Sequence, residues 1–339
     1  MLPRFLLALT LAAAPPAQLS LTGLYEEGRV AAGNLRYSPQ YPLWSDGAGK
    51  SRWIALPPGT AIGTQNPGAW DFPVGTKFWK EFAFGGRKVE TRMLWKAAET
   101  EWVYAAYRWR EDQRDADLAP AAGVGDTADL GGGLSHAIPS TADCRACHEN
   151  GPTPVLGFTA LQLSPDRDPL APHAEPLEPD MATLRTLAER RLLDPPLPPG
   201  PAPRIQADSP RARAVLGYLA TNCGTCHTPA SPIRGVSLDL TPGSGTATTV
   251  GRLGHYRIPG DEAPSSIVRP GDPGHSSLLY RMASGHAEAR MPPMGNALPD
   301  REAAELVRAW IASLRDPGDG RTLPPGPAGN GPSDPRRAP

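Results

Sequence analysis

STADCRACHENG (140–151) and ATNCGTCHTPAS (220–231) each contain Cys-x-x-Cys-His. Two thiols at i and i+3 followed at once by a histidine form the attachment signal for c-type haem. The thiols add to the two vinyl groups, and the histidine is placed to bind the iron from one side. The first copy is Cys144, Cys147 and His148, and the second is Cys223, Cys226 and His227. Together they use all 4 cysteines of the chain, which leaves none for a disulfide or a separate thiol catalyst. A bare Cys-x-x-Cys also serves redox dithiols, and two pairs make a four-ligand zinc site. The gap from Cys147 to Cys223 is much longer than usual zinc spacing, and neither alternative asks for a histidine after each second cysteine. The expectation is two covalently bound haem c groups, with His148 and His227 as iron ligands.

Outward from the second motif, SPRARAVLGYLATN (209–222) reads as a helix. Ser209 is a candidate N-cap, Pro210 fits the first helical position, and Val215, Leu216, Tyr218 and Leu219 supply an apolar stripe. PDREAAELVRAWIASL (299–314) reads as another, capped by Asp300, with Glu302 at its positive end and Leu306, Val307, Trp310, Ile311 and Leu314 on one face. Between them RMPPMG (290–295) offers two thioethers. A soft sulfur donor favours ferrous iron. Met291, stiffened by the two following prolines, is the first candidate for the second haem's distal ligand, and Met294 is the second. Met282 lies on a helical stripe and is expected in the core. His255, His275 and His286 are expected in loops or at the surface. For the first haem the candidates are His136, His173, Met181 and Met93; the remaining option is an open iron.

Seven of the 8 tryptophans precede residue 110. SRWIALPPGT (51–60), TKFWKEFAF (76–84), KVETRMLW (88–95) and EWVYAAYRW (101–109) read as strands, with Gly85-Gly86 as a tight hairpin turn. In KVETRMLW, Val89, Thr91, Met93 and Trp95 share one face, and Lys88, Glu90 and Arg92 share the other. The expected fold class is α+β: an N-terminal antiparallel sheet or barrel carrying the first haem (20–163), then an all-α cytochrome c-like domain (208–316). A proline-rich linker (164–207) is expected between them, with one helix over 180–193 and Asp180 as its candidate cap. The Pro/Gly-rich tail, 317–339, is expected to be disordered.

The chain opens with MLPRFLLALTLAAAPPAQ, one positive residue and then an apolar run too short to span a bilayer. This reads as a secretory signal peptide, 1–17, cleaved around Ala12 to Ala17. No later stretch is long and apolar enough to be transmembrane. Export to the periplasm agrees with where c-type haem is attached. A net charge of −1 excludes the basic footprint of a nucleic-acid binder. The 42 prolines and 36 glycines imply many loops.

YPLWSDGAGKSRWIALPPGT, FPVGTKFWKEF, VETRML, PSTADCRACH and LGFTALQL, with RARAVLGYLATNCGTCHTP, RPGDPGHSSLLYRMAS and RMPPMGNALPDREAAELVRAWIASL, resemble a family of exported bacterial two-haem c-type cytochromes over most of 36–316. The resemblance implies haem binding and electron transfer without naming a reaction, and it implies the methionine of the MPP motif, here Met291, as distal ligand. The extra Met294 departs from that pattern. The β region with its late Cys-x-x-Cys-His is also similar to the β-sheet cytochromes c prime, which implies a first haem that can be five-coordinate.

The function expected is periplasmic electron transfer, with an exported dehydrogenase, an oxidase or another cytochrome as redox partner. The alternative is a haem enzyme of peroxidase or small-nitrogen-oxide type, using an open first haem with the second as relay. A third possibility is a binding or sensor module. Di-haem peroxidases carry two similar domains, whereas these two regions differ.

Overall fold

The computed structural model describes residues 13–229, 231, 238–261 and 265–315. It is a mixed α/β structure, β-rich at the N-terminal end with helices later. The strands are β1 (Tyr25–Glu26), β2 (Arg29–Val30), β3 (Leu35–Arg36), β4 (Gly49–Ala55), β5 (Ile62–Gly63), β6 (Lys77–Phe84), β7 (Arg87–Ala98), β8 (Glu101–Trp109), β9 (Ala116–Leu118), β10 (Val124–Gly131), β11 (Leu134–Ile138) and β12 (Leu193–Asp194). The helices are α1 (Thr141–His148), α2 (Leu184–Glu189), α3 (Pro210–Asn222), α4 (Gly245–Thr249), α5 (Ser277–Ala283) and α6 (Arg301–Ser313).

The main sheet is antiparallel and open, in the order β3-β4-β6-β7-β8-β9, so the barrel option is not taken. Gly85 and Gly86 both adopt positive φ, which the two-residue turn between β6 and β7 requires. Cross-strand pairing aligns Trp53, Trp79, Met93 and Ala105 on one face. Leu19 and Leu24 of the N-terminal segment cover that face. The opposite face presents Ile54, Phe78, Leu94 and Tyr104, covered by Val155, Phe158, Leu163, Leu184, Leu187 and Leu193. Because both faces are covered, the charged positions of β7 are not a solvent row. Glu90 is fully buried and Arg92 is half-buried.

The stretch 164–207, expected as a linker, is instead packed structure. β12 pairs in parallel with β5, and Ala182 donates its amide to Arg36 O at 2.6 Å. The helix expected over 180–193 is shorter. Thr183, not Asp180, caps α2 by accepting from the Thr186 amide at 3.3 Å. Arg191 in the left-handed region ends the helical path, and the chain turns into β12.

The leader expected over 1–17 lies outside the described residues up to 12. Its last residues join the sheet edge: the Leu118 amide donates to Ala17 O at 2.9 Å and the Tyr107 hydroxyl to Pro16 O at 3.0 Å. The tail expected over 317–339 lies outside the described residues.

In the helical region Ser209 caps α3, accepting from the Ala212 amide at 3.1 Å, and Asp300 caps α6, accepting from Ala303 at 3.0 Å. α3, α5 and α6 close around Val215, Tyr218, Leu219, Leu279, Met282, Val307, Trp310 and Ile311.

Residues 41–47 bolt the two regions together. The buried Tyr41 ring lies so close to α3 that a Cβ on Gly217 would sit 2.1 Å from its Cε1. The Trp44 amide donates to Asn222 Oδ1 and its indole to Leu298 O, both at 2.8 Å. Asp46 Oδ1 accepts from the amides of Ala297 and Leu298, each at 2.8 Å. Arg213 reaches Asp166 at 3.1 Å, so the supposed linker also takes part.

Candidate functional site

The first motif occupies α1 after a complete capping box, Ser140 with Asp143. Cys144 and Cys147, three residues apart, therefore share one helix face. The His148 Nδ1–H donates to the Pro154 carbonyl at 2.6 Å. That bond fixes the tautomer and leaves the Nε2 lone pair free, the arrangement a metal-bound imidazole needs. Burial pushes the His148 pKa down to about 4, so the ring is neutral.

Cys144, Cys147 and His148 line a cleft of about 280 Å³. Its other walls include Arg92 of the sheet, His136 of β11, Asp46, and Met294 to Ala297 from the helical region. His136 is 3 % exposed and its Nε2 lies 2.9 Å from Glu90 Oε1. Burial alone would lower the His136 pKa, but the bonds to Asp46 and Glu90 outweigh it and the net shift is upward. Burial likewise pushes the Glu90 carboxyl up, and Arg92, 2.5 Å away, together with His136 reverses the sign.

The second motif begins at the C-terminal end of α3. Cys226 and His227 donate their amides to Cys223 O at 3.1 and 2.8 Å. Only glycine fits at 224, where a Cβ would meet Ala220 O at 2.4 Å. Among the described residues the buried Nδ1 of His227 has no partner. A small cavity of about 10 Å³ holds Cys223, Tyr218, Met282, Arg290 and Met291 in its walls, and His227 is not among them. Met291 is fixed by its amide, which donates to Arg281 O at 3.1 Å, and by Arg290, which donates to Ala297 O at 2.6 Å.

The two cavities share one wall residue, Asn296, whose Oδ1 is buried without a partner. The Cys147 thiol is pushed up by burial and also by the nearby Cys226. The motifs, 76 positions apart between Cys147 and Cys223, thus come to adjacent places.

The thiols suit neither a redox dithiol nor a four-cysteine zinc site. Burial raises all four thiols, Cys223 to about 12, the opposite of a reactive dithiol. Among the described residues no three His, Cys, Asp or Glu side chains converge as a metal cluster, which a four-cysteine zinc site demands. The residues present fit covalent haem at the first motif: paired thiols on one helix face, an oriented imidazole and a cleft beside them. At the second, the donor types suit haem, with Cys223 and Met291 facing one cavity, but the space is closed, His227 lies outside its walls and, among the described residues, its Nδ1 lacks the orienting partner that His148 has.

The other sequence candidates fall elsewhere. Met93 is buried on the sheet face away from α1. Met181 is 4 % exposed in packed structure. His173 stacks on Trp44 at 4.8 Å and bonds Asp300 at 2.9 Å. His255, His275 and His286 are exposed. Sequence reasoning missed Asp46, Glu90, Arg92 and Asn296. Only the charged face of β7 and the WSDG turn hinted at them. Among the described residues no helix is long and apolar enough to cross a membrane. Comparison with family models, curated proteins and solved structures finds no match to this chain.

Proposed function

We propose that the chain is an exported two-haem c-type cytochrome that relays electrons in the periplasm, its helical region forming a cytochrome c-like domain. The observation that carries this reading is the first motif's cleft, walled by Cys144, Cys147 and His148, which shares Asn296 with the small cavity walled by Cys223 and Met291. Cys144, Cys147 and His148 would hold the first haem, and Cys223, Cys226, His227 and Met291 the second. Haem iron, once bound, supplies one-electron redox chemistry whose potential follows its axial ligands and surroundings. The protein's own part is to orient His148 through Pro154 and to fix the Met291 loop through Arg290 and Asp46. It also sets the guanidinium of the Arg92–Glu90 ion pair in the wall of the first cleft. Partners would be an exported dehydrogenase, an oxidase or another cytochrome.

The test is the mass of the denatured protein after expression with c-type haem maturation. Two covalent haems are expected, with one lost in Cys144→Ala/Cys147→Ala and one in Cys223→Ala/Cys226→Ala. A chain carrying no covalent haem would sink the proposal. The cleft beside His148 favours a second reading, an enzyme with an open first iron. Carbon monoxide bound by half the reduced haem would support it.

A further inference from the structure

The first cleft contains a sulfur donor that nothing in the fold explains. Met294 is 37 % exposed, one of the few large apolar side chains at the surface. It packs in none of the buried clusters, yet it stands in the wall of the cleft that holds Cys144, Cys147 and His148. The second site's cavity contains Met291 and not Met294. A three-residue step in an extended chain spans at most about 11 Å, so one short loop delivers one thioether to each cavity.

The alternative donors in the first cleft are committed. The Nε2 of His136 is held by Glu90 at 2.9 Å, and its Nδ1 faces Asp46 at 3.9 Å. Turning Nε2 to a metal would give up the bond to the fully buried Glu90, leaving Arg92 as its remaining partner, and a lost hydrogen bond to a charged group is a net cost. His148 itself is the proximal candidate. Apart from the attachment cysteines, Met294 is the one soft donor in the cleft wall with no partner to give up.

We propose that Met294, reaching in from the helical region, is the distal ligand of the first haem, while Met291 serves the second. The inference rests on the two-haem reading. The thioether lone pair is donated to iron, and no electron or proton is exchanged in forming the bond.

The experiment uses the full-length, haem-loaded protein, its Met294→Ala, Met291→Ala and double variants, and Met294→His. Haem content is measured first by mass. Fewer than two covalent haems in the parent chain would defeat the two-haem reading itself, before Met294 is examined. With two haems present, the dithionite-reduced parent is expected to bind no carbon monoxide. Each single alanine variant should bind it at half the haem, and the double variant at all of it. Met294→His should stay closed to the gas and lose half of the Met–iron charge-transfer absorption. Met294→His, which keeps an iron donor at that position, checks that the fold accepts a substitution there. Three results overturn the inference: a parent already half open, a Met294→Ala protein still closed, or Met294→Ala half open while Met291→Ala stays closed.

Discussion

Removing the Asp46 carboxylate should loosen the methionine loop. Oδ1 accepts two backbone amides, Ala297 and Leu298, both at 2.8 Å. Bonds of this kind to a charged group contribute about 1.5–3 kcal/mol each. Asp46 also sits in the left-handed region, φ 55°, where aspartate and asparagine are tolerated better than alanine. Asp46→Ala should therefore cost about 4 kcal/mol, and Asp46→Asn, which keeps an acceptor and the backbone preference, about 1–2 kcal/mol. At about 2–4 °C per kcal/mol for a chain of this size, the alanine variant should melt about 10 °C lower. Burial pushes the Asp46 carboxyl up, but the bonds from His136, Leu298 and Ala297 hold it below its ordinary value. Its contribution is thus present above the ordinary carboxylate pKa and lost as pH falls through the depressed value. The parent should lose stability on acidification more steeply than Asp46→Ala. Melts of parent and both variants between pH 3 and 7, followed by tryptophan fluorescence and haem absorption, measure both effects. An alanine variant melting within about 2 °C of the parent, with the same acid limb, would refute the reasoning.

Gly217→Ala should destabilise the join between the regions. The Tyr41 ring it would strike is buried and tethered through its hydroxyl to Asp168 at 2.9 Å; overpacking of about 1–3 kcal/mol outweighs the helix gain of about 1 kcal/mol. A raised melting temperature would contradict the packing. His136→Gln should alter the alkaline side of the stability profile. The net shift of His136 is upward, so its contribution is full below its ordinary pKa of about 6.5 and is lost as pH rises through the raised folded value. The parent should decline over that window more than the variant, and parallel profiles would disprove it. Arg92→Gln should lower the potential of the first haem. Arg92 stands in the wall of the cleft that holds Cys144, Cys147 and His148, and losing its positive charge there removes a Coulomb stabilisation of the reduced state. A redox titration in which neither haem moves would show that Arg92 does not act on the site.

Local signals were legible wherever structure is local. The hairpin of β6 and β7 is written in alternation plus Gly85-Gly86, and α3 and α6 in Ser209, Asp300 and their stripes. The segment 164–207 was not legible, because its apolar residues follow no period. Met181, Leu184, Leu187 and Leu193 gain meaning only from the sheet they cover, and β12 pairs with a strand some 130 positions away. The alternation of β7 separates Glu90 and Arg92 from Met93, but no pattern states that both faces are covered. The motif cysteines stand out by spacing alone, and α1 places Cys144 and Cys147 on one face as that spacing implies. The partition of Met291 and Met294 between two cavities depends on a loop of irregular backbone, whose path is set by contacts from elsewhere.

Those contacts come from both sides of the molecule, and this bears on what the β-rich region is for. The loop 290–298 has no regular hydrogen-bonding ladder, so its amides and carbonyls need other partners. The helical region supplies Arg281 to Met291 and Arg290 to Ala297. The β-rich region supplies Asp46 to Ala297 and Leu298, and the Trp44 indole to the Leu298 carbonyl. Asp46 in turn faces His136, which is bonded to Glu90 and through it to Arg92 on the sheet. A continuous line of buried polar contacts therefore runs from the loop carrying Met291 to the sheet face beside the first motif. Shifting one region against the other would give up several of these bonds to charged groups at once, each worth about 1.5–3 kcal/mol, so the two regions hold one relative placement. The sheet acts as the rigid side against which the methionine loop is set, and the geometry of each candidate haem site depends on residues of both regions.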